Sequence, residues 1–270
     1  MPVADKRLVV CTPAGRRRYL EVLARYVLAE PAVDEWQLWA NTTCTEDLRW
    51  MGALSGRDPR VTVVSGNWPA AGTDSIHKFF PACTDPSTVY VRLDDDVVFA
   101  EPGAIVRLAA RRLDEPDPFL LFGNVYNNAL VSHLHQRLGR LTTEHGLVGY
   151  DCMDAVGWND GAFAIDTHRR FLADPDPEHW RLPDWNLSWY ERFSINVFAW
   201  TGDAFATFGG RVGRDEEDWL SVQRPKEIGR PSRMAGDCFF SHYAFFTQRE
   251  AIDAAVDVLA GYRRLAGLDE

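Results

Sequence analysis

The sequence predicts an α/β fold with a mainly parallel central sheet flanked by helices, followed by a less regular second half. In residues 1–124, short apolar runs alternate with amphipathic stretches, which is the pattern of βαβ units with parallel strands. From about residue 125 onward, turn-forming residues and tryptophans are dense and the alternation is lost. The sequence has no linker, repeat or low-complexity tract, so we expect one domain with two functional halves, residues 1–124 and 125–270.

The strands are predicted from apolar runs that end at turn-forming residues. Such runs, rich in Val, Leu, Tyr and Trp, fit the pleated surface of a buried sheet. The predicted strands are 7–12, 36–40, 61–65, 89–93 and 119–122 in the first half, and 193–200 in the second. Because ligands bind beyond the carboxyl ends of parallel strands, we expect Thr12, Asn41 and the aspartates after residue 93 along one rim of the sheet.

The helices are predicted from apolar residues at helical spacing and from residues that favour a helix start. One stripe in the first helix consists of Tyr19, Val22, Leu23, Tyr26 and Val27. Thr73 or Asp74 is a suitable N-cap for a later helix, and Pro102 suits a first turn. The predicted helices are 16–30, 46–54, 74–82, 102–113 and 251–265.

Composition and charge narrow the classes of function. With 29 basic and 39 acidic residues the net charge is −10, which argues against nucleic-acid binding through bulk electrostatics but leaves a local basic patch open. The five cysteines lie far apart without a C-x-x-C pair, so we expect neither a disulfide framework nor a thiolate zinc site. No apolar run approaches a membrane span and the N-terminus lacks signal-peptide anatomy, so we expect a cytoplasmic protein.

Three consecutive aspartates, Asp94, Asp95 and Asp96, stand at the end of the predicted strand 89–93. An exposed acidic turn between a strand and a helix is one interpretation. The other is a site for Mg²⁺ or Mn²⁺, because these cations prefer oxygen ligands and offset the repulsion between crowded carboxylates. On an extended strand end, Asp94 and Asp96 point the same way and Asp95 points elsewhere.

Two later segments carry residue types of the same chemistry. In GRDEEDWLSV, the acids Asp215, Glu216, Glu217 and Asp218 precede a helical pattern, where a helix dipole alone would already favour them. In FFSHYAFF, His242 lies within an aromatic, strand-like run, and such a histidine is either structural or a metal ligand.

The order and spacing of these three motifs resemble those of the inverting, metal-dependent glycosyltransferases of the GT-A type, which use nucleoside-diphosphate sugars. In that family a D-x-D motif ends the fourth strand, an x-E-D motif supplies the catalytic base, and a C-terminal histidine completes the metal site. The resemblance implies Asp96, His242 and Asp94 around Mn²⁺ or Mg²⁺, and Asp218 or Glu217 as the base. The glutamine-arginine-tryptophan motif and the membrane spans of processive synthases are absent, which favours transfer of a single sugar by a soluble enzyme.

The resemblance also implies a donor site, for which the nucleoside base and the sugar stay open and UDP is taken from the family. Its expected residues are Thr12, Pro13, Ala14, Arg16, Asn41, Asp74, Lys78, Asp94, Asp95, Asn159, Asp160 and Arg230. Thr12 to Ala14 would face the base, and Asn159 with Asp160 the donor sugar. The segment 221–236, which includes Arg230, is expected to be a mobile loop whose cations close on the diphosphate.

Two other functions stay open from the sequence. A sugar-phosphate nucleotidyltransferase shares the alternating layout, but the stretch CTPAGRRRYL has one glycine where that class has a glycine-rich loop. A non-catalytic binder of nucleotides or carbohydrates would not need the acidic motifs. The acceptor is also open: a glycan, a lipid-linked sugar, a natural product, a protein or a modified nucleic-acid base.

Overall fold

The structure is a computed structural model that describes Val3 and residues 5–268. Within these residues, nine strands form one sheet in the order β3-β2-β1-β4-β8-β6-β9-β5, with β7 paired to β9. The strands are β1 (Arg7–Ala14), β2 (Glu35–Ala40), β3 (Val61–Val64), β4 (Thr88–Leu93), β5 (Val97–Ala100), β6 (Leu121–Tyr126), β7 (Trp185–Asn186), β8 (Val197–Thr201) and β9 (Arg233–His242). Strands β5, β7 and β8 run opposite to the other six, so the predicted mainly parallel sheet is confirmed.

Helices lie between the strands of the first half and are more varied in the second. They are α1 (Arg17–Val27), α2 (Thr45–Ser55), α3 (Thr73–Ile76), α4 (Ala104–Asp114), α5 (Ala129–Arg137), α6 (Gly161–Ala173), α7 (Pro177–Trp180), α8 (Gly202–Ala206), α9 (Glu216–Asp218), α10 (Arg224–Ile228), α11 (Arg249–Ala254) and α12 (Val256–Leu265). A 3₁₀ turn covers Phe80–Ala82, and a π-helix covers Trp219–Gln223. No helix of the described residues is long and apolar enough to cross a membrane.

Both faces of the sheet are covered, which explains the continuous apolar run Leu8–Cys11 of the central strand β1. Along β1, Leu8 and Val10 pack into one buried cluster, whereas Val9 and Cys11 pack into another on the opposite face. Side chains alternate between the two faces of a strand, so a sheet covered on both sides needs apolar residues at every position.

Four local predictions differ from the structure. The strand predicted at 193–200 begins only at Val197, as β8. The helix predicted at 74–82 is the short α3 followed by a 3₁₀ turn, because Pro81 has no N–H to continue an α-helix. The C-terminal helix is broken at Ala255, whose φ and ψ of −87° and 73° are not helical. The segment 221–236 is not a loop: it contains α10 and the start of β9, where the Arg233 N–H donates to the Leu120 carbonyl at 3.1 Å.

One edge of the sheet collects the chain segments that carry the acidic and histidine motifs. Strands β4, β6 and β9 point toward this edge, and the turn from β4 to β5 lies on it. Val97 at the start of β5 pairs with His242 at the end of β9. The sheet register therefore fixes His242 beside the three aspartates.

Candidate active site

The three aspartates form a tight, buried turn between β4 and β5. The Asp94 N–H donates to the Asn196 carbonyl at 2.8 Å, and the Val97 N–H donates to the Asp94 carbonyl at 3.1 Å. The side chains of Asp95 and Asp96 are only 5% and 2% exposed. Because buried carboxylates require compensating partners, this turn is not an exposed acidic loop.

Arg16, at the end of β1, compensates two of the three carboxylates. Its Nε donates to Asp95 Oδ1 at 2.9 Å, and its Nη1 lies 2.9 Å from Asp96 Oδ2. The backbone N–H of Gly15 also donates to Asp95 at 3.0 Å. Burial raises the pKa of Asp95, and the positive charge of Arg16 opposes that rise only in part.

Asp96 and His242, which are distant in the sequence, meet at this edge. His242 Nε2 lies 3.4 Å from Asp96 Oδ1, and His242 Nδ1 lies 3.4 Å from the Asn127 carbonyl oxygen. Arg249 Nη2 donates to Asp96 Oδ2 at 2.8 Å. Burial by itself raises the pKa of Asp96, but Arg16 and His242 outweigh it and hold the pKa well below its usual range, so Asp96 is ionised.

The donor atoms of Asp96 and His242 fit two neighbouring positions around one divalent cation. Ligand atoms about 2.1 Å from an octahedral cation are about 3 Å from each other, close to the observed separation of 3.4 Å. In the described part of the chain, no group of three or more His, Cys, Asp or Glu side chains is placed to hold a metal. A cation here would thus have two protein ligands and open positions, as Mg²⁺ often has in phosphate sites.

Arg92 joins the aspartate turn to the second acidic motif. Its Nη2 donates to Asp94 Oδ1 at 2.8 Å and lies 3.0 Å from Glu216 Oε1. Arg92 is 3% exposed, and its guanidinium lies 6.0 and 5.8 Å from the ring centroids of Phe80 and Phe198. Sequence reasoning missed this residue, although a charged side chain in the apolar run VYVRL directly before the aspartates was a signal.

Glu216 is the most deeply buried acid of the second motif. Burial raises its pKa to about 7, against the opposing effect of Arg92. Its Oε2 atom has no hydrogen-bond partner among the described residues. Glu216 is therefore expected to change its charge near neutral pH. Its partner is Arg92, which also pairs with Asp94.

The other acids of this motif differ in their partners. Asp215 caps α9 by accepting from the Asp218 N–H at 3.1 Å, and Arg192 pairs with both Asp215 and Glu217. Burial raises the pKa of Glu217, and Arg192 opposes the rise. Asp218 is half-buried and accepts from Gln223 Nε2 at 2.6 Å, and no ion pair within residues 5–268 involves it.

The expected nucleotide residues lie at the carboxyl ends of β1 to β3. Thr12 is buried and its Oγ1 accepts from Trp36 Nε1 at 3.0 Å, so its hydroxyl is occupied within the sheet; Pro13 and Ala14 end the same strand. The Asn41 side chain holds the start of α3 by donating to the Gly72 carbonyl at 2.8 Å. At that start, Asp74 pairs with Arg214 at 2.6 Å, and Lys78 is exposed shortly after it.

Two further expectations have different outcomes. Asp160 is the N-cap of α6, and its Oδ1 accepts hydrogen bonds from the N–H groups of Ala162 and Phe163 at 2.8 and 3.1 Å. The neighbouring Asn159 is exposed. Arg230 is not brought to the aspartates. It donates to the carbonyl of Asp117, before the start of β6, which is the opposite edge of the sheet.

Comparison with known proteins gives matches in structure. No family model matches the sequence, and no curated protein matches it by sequence. A mannosyltransferase from Pyrobaculum calidifontis, in complex with GDP-Man and Mn²⁺, aligns with a TM-score of 0.54 at 11% identity, covering 100% of this chain and 66% of that chain. A glucosyl-3-phosphoglycerate synthase from Mycobacterium tuberculosis, in complex with Mn²⁺, UDP-glucose and phosphoglyceric acid, aligns with a TM-score of 0.52 at 14% identity, covering 99% and 82%.

These alignments confirm the fold class: the chain has a GT-A type fold. The chain spans 66% of the length of the mannosyltransferase, slightly less than two thirds. At identities of 11% and 14% the similarity concerns architecture, and one fold can carry several activities. The function must therefore be argued from the side chains at the sheet edge.

Proposed function

We propose that this protein transfers one sugar from a nucleoside-diphosphate sugar, with UDP as the working nucleotide, to an acceptor hydroxyl with inversion. The observation that carries the proposal is the meeting of Asp96 and His242 at the carboxyl edge of the sheet, 3.4 Å apart, next to two arginines. A site that combines one carboxylate, one imidazole and nearby guanidinium groups suits a diphosphate with its cation.

Arg16 and Arg249 are the chain's own groups for the diphosphate. Both contact Asp96, yet their side chains are 32% and 27% exposed, so part of each side chain is open to solvent. Guanidinium groups form strong, paired hydrogen bonds with phosphate oxygens. The ends of β1 and β2, with Pro13, Ala14 and Asn41, would take the nucleoside on the same rim.

Asp96 and His242 are the residues that would hold a divalent cation, with Asp94 nearby on Arg92. When bound there, the cation would offset the negative charge of the diphosphate. An imidazole among the ligands favours Mn²⁺ slightly over Mg²⁺.

Asp218 is the base in this proposal, because it is accessible and is not neutralised by an ion pair in the described chain. Its carboxylate takes the proton of the acceptor hydroxyl. The acceptor oxygen then forms its bond to the anomeric carbon, while the bond from that carbon to the diphosphate oxygen breaks and its electron pair leaves on the diphosphate. Attack from the face opposite the diphosphate inverts the anomeric configuration. Glu217, held by Arg192 at 2.8 Å, orients the acceptor.

The test is a thermal-shift comparison of the full chain with UDP or GDP, each with and without Mn²⁺. We expect a nucleotide to raise the melting temperature in the presence of Mn²⁺, because a ligand present at about 100 times its Kd stabilises the folded state by about 2.7 kcal/mol. The variant Asp96→Asn should lose the part of the shift that depends on Mn²⁺. The matched control Asp114→Asn, at an exposed aspartate at the end of α4, should keep it.

Two results would contradict the proposal. If neither UDP nor GDP raises the melting temperature, with or without Mn²⁺, the proposed donor site is refuted. Release of pyrophosphate from a nucleoside triphosphate and a sugar phosphate, without sugar transfer from UDP-glucose, would assign the site to nucleotidyl transfer instead.

A further inference from the structure

Three aromatic residues form an exposed surface in the second half of the molecule. We call Tyr150, Trp185 and Trp189 the aromatic surface. Trp189 is 85% exposed and Tyr150 is 39% exposed, while Trp185 is half-buried. Rings of this size are normally withdrawn from water, so their shared exposure needs an explanation.

Hydrogen bonds hold the aromatic surface in place. Trp185 Nε1 donates to the Tyr150 hydroxyl at 2.8 Å, and that hydroxyl donates to Glu191 Oε1 at 2.9 Å. The other oxygen of Glu191 accepts from the Trp189 backbone N–H at 3.2 Å. One carboxylate thus holds the Tyr150 side chain and the backbone of Trp189, whose indole ring extends into solvent.

The backbone next to Trp189 adopts an unusual conformation. Tyr190 has a φ of +57°, a left-handed value that is costly for a bulky side chain. Its N–H donates to the Leu187 carbonyl at 3.1 Å, which helps to hold the turn. Strained conformations of this kind persist where the surrounding structure enforces them, and they are frequent at binding sites.

The aromatic surface adjoins the acidic motif that contains the proposed base. Arg192 directly follows Glu191 and pairs with Glu217 at 2.8 Å. On the other side, Cys152 lies two residues after Tyr150, and its Sγ donates to Glu217 Oε1 at 3.5 Å. Both chain segments that build the aromatic surface therefore also contact Glu217.

We propose that the aromatic surface binds the pyranose ring of the acceptor, and thus that the acceptor is a carbohydrate. The inference rests on the proposed sugar transfer and names its second substrate. A pyranose has flat C–H faces that stack on aromatic rings, and its hydroxyls suit the Tyr150 hydroxyl and the Glu191 carboxylate. A ring stacked there would lie beside the two chain segments that contact Glu217 of α9.

The charge of the surroundings favours a neutral acceptor. Three acids lie next to the aromatic surface: Glu191, Asp215 and Glu217. Arg192 pairs with the last two and contributes a single positive charge. Anionic acceptors such as a phosphate-bearing lipid or a nucleic acid would be repelled here, in a chain with a net charge of −10. A polyhydroxylated neutral ring meets no such repulsion.

The experiment is saturation-transfer NMR of the full chain with the methyl α- and β-pyranosides of glucose, galactose and mannose. We expect transfer to the ring C–H protons of at least one of them. In Trp189→Ala and Tyr150→Ala the affinity for that glycoside should fall about tenfold, the size expected for loss of an aromatic contact. The control Val256→Ala removes an exposed apolar side chain on α12 and should bind as the wild type does.

The outcomes separate this inference from the proposed function. If no glycoside shows transfer, or if Trp189→Ala behaves as the wild type, the carbohydrate acceptor is refuted even when UDP and Mn²⁺ raise the melting temperature. If a glycoside binds through Trp189 but no nucleotide binds, the aromatic surface stands as a carbohydrate site and the sugar-transfer proposal fails. A dimer that dissociates in Trp189→Ala, seen by sedimentation, would show that the surface serves self-association and would also overturn the inference.

Discussion

The two halves of the molecule contribute to the site in different ways. In residues 1–124, the site residues follow strand ends directly: Arg16 lies just after β1 and the aspartates just after β4. In residues 125–270, the contributing side chains arrive from an irregular segment, a short helix and a strand end, as Arg192, Glu216 and His242 do. The regular half provides a rim whose position the sheet fixes, and the irregular half brings groups to it through long-range ion pairs.

The difference suggests a division of tasks. The rim at β1 to β4 holds the groups suited to the donor, whereas α9 and the aromatic surface hold those suited to the acceptor and the proton. Variants at this rim, together with His242 and Arg249 that reach it from the second half, should then affect donor binding, whereas variants in α9 and the aromatic surface should affect acceptor binding and the transfer rate.

The largest effect is expected from Asp218→Asn. Removal of a base that accepts the acceptor proton should lower kcat by about 10³-fold, since general base catalysis typically contributes 10²- to 10⁴-fold. The Kd for UDP in the presence of Mn²⁺ should not change, because Asp218 is on the side of the proposed acceptor. Transfer rates and isothermal titration measure the two quantities, with Asp114→Asn as the control.

Full activity in Asp218→Asn would remove Asp218 from the mechanism and leave Glu217 as the base. Loss of UDP binding in the same variant would break the proposed division, since a residue of α9 would then serve the donor.

An intermediate effect is expected from Glu216→Gln, and it depends on pH. Burial raises the pKa of Glu216 from 4.5 to about 7, so between these pH values the folded state binds more protons than the unfolded state. The free energy of unfolding of the wild type should therefore fall as pH rises from 4.5 to about 7, by about 3 kcal/mol relative to Glu216→Gln. Urea unfolding of both proteins at several pH values measures the difference.

Above pH 7 the two stability curves should run parallel, because Glu216 is then ionised in both states of the wild type. Parallel curves between pH 4.5 and 7 would instead show that Arg92 keeps Glu216 ionised throughout, and that the halves are joined by a fixed ion pair.

The smallest effect is expected from Asp74→Asn in the first half. If Asp74 contacts the ribose, the Kd for UDP should increase about tenfold, which corresponds to one hydrogen bond to a charged group. Stability and kcat should be nearly unchanged, because the pair of Asp74 with Arg214 is exposed. Asp257→Asn breaks a similar exposed pair with Arg169 and is the matched control. Equal UDP affinity in both variants would limit Asp74 to its surface ion pair.

The sequence predicted the first half well because its signals are local. Strands β1 to β4 and helices α1, α2 and α4 were all predicted close to their observed bounds, as periodicity and turn residues determine them. The sequence did not predict β5, because its four apolar residues directly follow the aspartates with no turn signal of their own. It also missed α5 and α6, although Asp160 as an N-cap before an amphipathic run was a signal for α6.

The site was predictable only in part. The motifs named Asp96 and His242, which the structure places 3.4 Å apart, while their role as metal ligands stays a prediction. The sequence did not indicate that Arg92, Arg192 and Arg249 compensate the acids. Compensation of a buried charge depends on which distant segments the fold brings together, and no local pattern contains that information.

The sharing of one guanidinium nitrogen, Arg92 Nη2, by Asp94 and Glu216 limits how this scaffold can be recombined. A chimaera that takes residues 1–124 from another source would bury Glu216 without Arg92, and one that replaces the second half would take away one of the two partners of Arg92. Removing one partner of a buried ion pair destabilises a protein by several kcal/mol. The boundary near residue 124 is therefore a poor crossover point, even though the regularity of the chain changes there.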